Sequence, residues 1–148
     1  MYLERIQDLS IYYWLYDKLN TTISIPVVDS FPTEELLIPS VSIEADEIDA
    51  FVLELGNSTL EQLRIWSVDV FAVNKSQRDE IGYKIFNDLD EKIPVYNYEL
   101  GFPPTVVPQL GVLDITEKKL KIIRVFPELV DKLYYRCEVT FSTIYTVL

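Results

Sequence analysis

Few side chains in this sequence can do chemistry, and they are widely spread. The chain has no histidine, so the usual proton shuttle, triad base and commonest metal ligand are missing. Its one cysteine, Cys137, can build neither a thiolate cluster nor an intrachain disulfide. Cys137 also falls on the apolar side of an alternating segment, where a thiol serves as a small buried hydrophobe rather than an activated nucleophile. What remains is carboxylate. Glu44-Ala45-Asp46-Glu47 with Asp49, and Asp88 with Asp90-Glu91, bring acids close enough in sequence to bind a divalent ion or share acid/base work. Neither run follows the Asp-x-Asp-x-Asp-Gly pattern of a calcium loop, and both read as solvated acidic loops. The four glycines, Gly56, Gly82, Gly101 and Gly111, are scattered, which excludes the glycine-rich phosphate cradles. The expectation is a protein with no catalytic residues, no cofactor and no metal. An enzymatic reading would have to rest on Asp46, Glu47 and Asp49.

The elements that carry these residues belong to a chain of 148 residues, the size of one domain, and 49% of it is hydrophobic. One domain over 1–148 is expected, with a core large enough to need neither disulfides nor metals. Ten tyrosines, seven phenylalanines and two tryptophans supply contact area for a core or for partners. A net charge of -11 repels phosphate backbones across any broad surface, which argues against direct nucleic-acid binding. Met1-Tyr2-Leu3-Glu4-Arg5 does not read as a secretory start, so synthesis in a cytoplasm is expected. No apolar run approaches the roughly 18 residues that span a bilayer, and no membrane partner is expected.

Periodicity predicts an α+β fold: a mixed, mostly antiparallel sheet with an N-terminal helix and a second amphipathic helix packed on it. Leu3, Ile6, Leu9, Tyr13, Leu15, Tyr16 and Leu19 recur close to helical spacing over Tyr2 to Leu19. Extended pieces follow at Ile23 to Val28 and Ser40 to Glu44 among Pro26, Pro32 and Pro39, with a weak helical signal only at Glu34 to Leu37. Phe51 to Leu55 and Leu60 to Asn74 read as a hairpin turning at Gly56-Asn57-Ser58. In its longer arm, Trp66, Val68, Val70 and Ala72 share one face, and Ile65, Ser67, Asp69, Phe71 and Val73 the other. Apolar residues on both faces predict a central strand. A buried Asp69 then needs a cation from Arg64, Arg124 or Arg136. Ser76 with Asp79 predicts the cap of a helix whose stripe is Ile81, Ile85, Phe86 and Leu89. Ile93 to Tyr98 reads as a short strand, Gly101 to Pro108 as a proline-rich loop or arm. Gln109 to Thr116 and Leu120 to Phe126 read as a hairpin about Glu117-Lys118-Lys119, with a break at Pro127. Tyr134 to Val147 alternates most clearly: Tyr135, Cys137, Val139, Phe141, Tyr145 and Val147 point one way, Tyr134, Arg136, Glu138, Thr140, Ser142 and Thr146 the other.

The stretch from Arg64-Ile65-Trp66-Ser67-Val68-Asp69-Val70-Phe71-Ala72 through Glu80, the helix after it, Ile93-Pro94-Val95-Tyr96, and the closing Tyr135-Arg136-Cys137-Glu138-Val139-Thr140-Phe141 together resemble the bacteriophage tail-terminator (tail-completion or neck) family. The element order is similar along the whole chain, the residue pattern over about 64–90 and 134–147. The resemblance implies a structural virion protein, assembled in the host cytoplasm, that forms a ring, commonly a hexamer. Such a ring caps the head-proximal end of the tail tube, ends its polymerisation and joins the tail to the head connector or head-closure protein. Its partners are further copies of itself, the tail tube protein and, in a contractile tail, the sheath; DNA passes through the channel without specific binding. In such a ring, alternation singles out Phe71, Val73, Tyr134, Arg136 and Glu138 as subunit-interface residues. In a monomer the same residues would support a helix or meet solvent. A second reading is an acidic protein-binding module, an inhibitor or immunity-type protein whose charged face imitates nucleic acid.

Overall fold

A computed structural model of the chain describes residues 2–21, 25–28, 39–51, 61–100, 108–123 and 135–148. Helix α1 spans Leu3–Asn20, and strands β1 (Val27–Val28), β2 (Ser40–Phe51) and β3 (Glu61–Ala72) follow. Helix α2 spans Lys75–Asp88; β4 (Ile93–Tyr96), a short 3-10 helix (Tyr98–Leu100), β5 (Gln109–Ile123) and β6 (Tyr135–Val147) complete the order. The strands form one sheet in the order β1-β2-β3-β6-β5-β4, parallel only between β1 and β2. The expected α+β class, with a mostly antiparallel sheet and two helices on it, is what the chain adopts.

Both helices lie on one face of the sheet. Ile6, Ile11, Leu15 and Leu19 of α1 and Ile81, Ile85 and Leu89 of the α2 segment share a core with Val41, Trp66, Val68, Val70, Val139 and Phe141 of the strands. Burying an aliphatic side chain of this kind contributes about 1.5–3 kcal/mol, and these seven residues are the main apolar hold of the helices on the sheet. Polar contacts set where α1 lies. Ser10 Oγ donates to Ile6 O (2.8 Å) and accepts from Tyr96 N (3.3 Å), which ties the helix to β4. Tyr12 donates its hydroxyl to Val27 O (3.1 Å), which ties it to β1. At the end of the helix, Asn20 Nδ2 donates to Tyr16 O and Asn20 Oδ1 accepts from Ile25 N, fixing the chain's exit.

Close approach places α2. A Cβ added to Gly82 would lie 2.6 Å from Cys137 Sγ, so only glycine lets the helix sit this close to β6. The cap of α2 differs from the expected Ser76 and Asp79. Asn74 is the cap: its Oδ1 accepts from Gln77 N (2.8 Å), while Gln77 Oε1 accepts from Val73 N (2.9 Å). The reciprocal pair is of the expected kind but begins two residues earlier, where β3 ends and the backbone is still extended.

Three strand readings are corrected. Ser40 to Glu44 and Phe51 belong to one twelve-residue strand, carried past Asp46 by a bulge that interrupts the alternation between Ala45 and Glu47. Glu117-Lys118-Lys119 is not a turn; Gln109–Ile123 is one strand paired with β6 along its length, with a bulge between Ile115 and Glu117. No glycine, proline or asparagine stands there to turn the chain. Lys118 is pinned instead, donating to Phe86 O (2.8 Å) and to Asp90 at the C-terminal end of α2, where a cation is favoured. The short strand expected over Ile93 to Tyr98 stops at Tyr96 and passes into the 3-10 helix. Glu34 to Leu37, the turn at Gly56-Asn57-Ser58, the arm after Gly101, the break at Pro127 and Tyr134 lie outside the described residues.

Candidate functional site

The face of the sheet away from the helices carries most of the residues that sequence singled out. Sheet register sets Ser42, Asp69, Glu138 and Lys121 in one row across it, and Ser40, Phe71, Arg136 and Ile123 in the next. Asp69 finds its cation within the chain: Arg136 Nη2 donates to Asp69 Oδ1 over 3.1 Å. Burial pushes the Asp69 carboxyl above its usual range, and Arg136 pulls it part of the way back. The same guanidinium lies 5.0 Å from the centre of the Phe71 ring. Phe71 is 1% exposed in the single chain, which corrects its place among surface contacts: its ring has no area left to offer a neighbour. Val73 stands just past the end of β3 and is 58% exposed. Glu138 is half-buried and accepts from Thr140 Oγ1 (3.3 Å). Of the five expected contact residues the structure therefore brings Phe71, Arg136 and Glu138 together around Asp69, sets Val73 apart, and does not describe Tyr134.

Cys137 is fully buried on the helix side, and burial pushes its thiol up to about 11. Asp46, Glu47 and Asp49 are exposed on β2, where Asp46 accepts from Ser67 Oγ. Among the described residues no group of three or more histidine, cysteine, aspartate or glutamate side chains is placed to hold a metal ion, and no helix is long and apolar enough to cross a membrane.

Two features escaped the sequence reading. The first is Arg64, which belongs to the helix face and not to Asp69. It is 2% exposed and donates to Glu4 O (2.9 Å), Gln7 Oε1 (3.1 Å) and Asp8 Oδ1 (2.9 Å) of α1, with its guanidinium 4.1 Å from the centre of the Trp66 ring. Trp66 Nε1 in turn donates to Thr143 Oγ1 (2.9 Å), so β6, β3 and α1 are joined through one buried polar chain. Arg64 is in phase with Trp66, Val68 and Val70, so alternation along β3 marks it as a helix-face residue; its partners on α1 are what the sequence does not show. Beside this anchor, a cleft of about 590 Å³ opens between α1 and β2, with Arg5, Asp8, Tyr12, Tyr13 and Glu44 at its walls.

The second feature is the pair of sheet edges. β1 covers β2 only at Val41 and Ser42, and β4 covers β5 only from Gln109 to Leu113. Among the described residues no strand pairs with the outer side of β2 from Ile43 onward, or of β5 from Asp114 onward. The free part of β2 carries Glu44, Asp46, Glu47 and Asp49; that of β5 carries Asp114 and Glu117, then Lys118, Lys119 and Lys121. In the sequence these edges are two charged runs, whose composition alone suggests a loop and a turn.

No protein family matches this chain, and no curated protein sequence matches it.

Proposed function

We propose that the chain is a ring-forming structural subunit of the tail-terminator kind, capping the head-proximal end of a phage tail tube and joining the tail to the head connector. The observation that carries this reading is the one-sided sheet. Both helices cover one face; on the other, Ser40, Ser42 and Phe71 are buried, and the exposed part bears Glu44, Glu47 and Asp49 of β2 and Glu117 of β5 against Lys119 and Lys121. A face of this charge, turned toward a channel, repels the DNA backbone and lets it slide, while helices turned outward meet protein. The family resemblance of the strand, helix and closing-strand pattern supports the same assignment.

Electron micrographs of the purified chain at rising concentration are expected to show rings with a central hole. In a polymerisation of the tail tube subunit encoded in the same genome, added chain is expected to stop tube growth. Tubes that keep lengthening at saturating chain would overturn the proposal.

A further inference from the structure

We infer that neighbouring copies join by edge-to-edge strand pairing, the free part of β2 on one copy adding antiparallel to the free part of β5 on the next. This rests on the assembly reading above and names its contact. Exposed strand edges are ready templates for pairing, and proteins guard them with charge. Here the guarding is selective. Two β2 edges would set Glu44, Glu47 and Asp49 against their own kind, with no lysine among them. The β5 edge has Glu117 beside Lys119 and Lys121, and pairing β2 with it is what brings Glu47 and Asp49 to lysine. A contact between two different patches is head-to-tail, and repetition of it gives a ring when the rotation closes.

Register can be read from the faces. Glu47 and Asp49 stand opposite Ile65 and Leu63 on the helix-free side, and Ile48 opposite Arg64 on the helix side. On β5, Lys119 and Lys121 stand opposite Thr140 and Glu138 on the helix-free side, and Leu120 and Ile122 opposite Val139 and Cys137 on the helix side. Because side chains alternate with period two, a joined sheet must pair like side with like. Antiparallel pairing that sets Glu47 opposite Lys121 places Asp49 opposite Lys119 and Ile48 opposite Leu120. Ile48 is 45% exposed and Ile122, its diagonal neighbour in that register, 38% exposed; both would be covered. The free stretches are not level within one copy, since Glu44 shares a row with Lys119. Joining them therefore offsets successive copies along the strand, which is the stagger that closing a sheet into a barrel demands.

Cysteine pairs test the register. Directly opposed residues in an antiparallel pair come within disulfide range, with Cα atoms roughly 4.5–5.5 Å apart. Folded Asp49→Cys and Lys119→Cys chains, mixed and gently oxidised, are expected to give a covalent dimer far in excess of either variant alone; the buried Cys137 stays out of the exchange. As a second measurement, the double variant Glu47→Lys/Asp49→Lys is expected to weaken association at least about tenfold, and Lys119→Glu/Lys121→Glu on the same chain to restore it. Rings in micrographs without the mixed disulfide, or without response to the charge exchange, would overturn edge pairing while leaving the ring reading intact. A wild-type chain that mass photometry and light scattering find monomeric up to its solubility limit would overturn both.

Discussion

Arg64 concentrates the energetics of α1 in one side chain. Its guanidinium is out of water, yet it satisfies Glu4 O, Gln7 and Asp8 on the helix while resting on Trp66. A buried charge with such partners is a modest net stabiliser, and removing it takes a donor from Gln7 and from the partly exposed Asp8 and opens space beside Trp66. Arg64→Ala is expected to destabilise the fold by about 1.5–3 kcal/mol. Arg64→Lys should recover only part of that, because an ammonium cannot reproduce the planar fork or stack on the indole. Urea unfolding followed by circular dichroism measures both; a loss under about 1 kcal/mol for the alanine variant would refute the anchor role. Burial of Cys137 was legible in the sequence for a physical reason: on a strand alternating this cleanly, the side a residue faces follows from parity alone. The partner of Asp69 was legible only in part: parity sets Arg64 on the opposite face of the same strand, but does not reveal whether Arg124 or Arg136 comes to lie alongside.

At the scale of elements, α1, α2, the central β3 and the closing β6 follow from periodicity, although α1 buries Gln7, Ser10 and Ile11 and leaves Leu3 and Tyr16 of its expected stripe exposed; β2 and β5 do not follow. The difference lies in their bulges. An inserted residue at Asp46 and another at Thr116 shift the alternation by one, so each long strand looks like two short ones separated by charge. The cap of α2 makes a test of local sequence against tertiary packing. Asn74→Ala removes the acceptor for Gln77 N and is expected to cost about 1 kcal/mol, read as a lower urea midpoint with unchanged m-value. Ser76→Ala, at the position sequence favoured, should change stability by less than about 0.5 kcal/mol, because the structure shows no cap bond there. Equal effects at the two positions would count against the cap assignment.

For the whole molecule, charge acts in two opposed ways that one salt titration separates. The chain carries -11 overall, and a compact body of that charge repels itself, so added salt should stabilise the single fold. Edge pairing depends on exposed carboxylate and ammonium groups meeting across a strand boundary, and salt screens such pairs because the Debye length shrinks from about 10 Å at 0.1 M to about 3 Å at 1 M. With the protein dilute enough to remain single, the melting temperature is expected to rise between 0.05 and 0.5 M sodium chloride, by roughly a few degrees for a domain of this size. Over the same range at higher protein concentration, the association constant measured by light scattering is expected to fall about tenfold. Opposite signs are the diagnostic feature. Association through apolar patches alone, such as Val73 with Tyr135, would hold steady or strengthen as salt rises. A rise in both quantities would therefore remove the charged edges as the joint between copies and move the interface to the exposed apolar residues at the end of β3 and the start of β6.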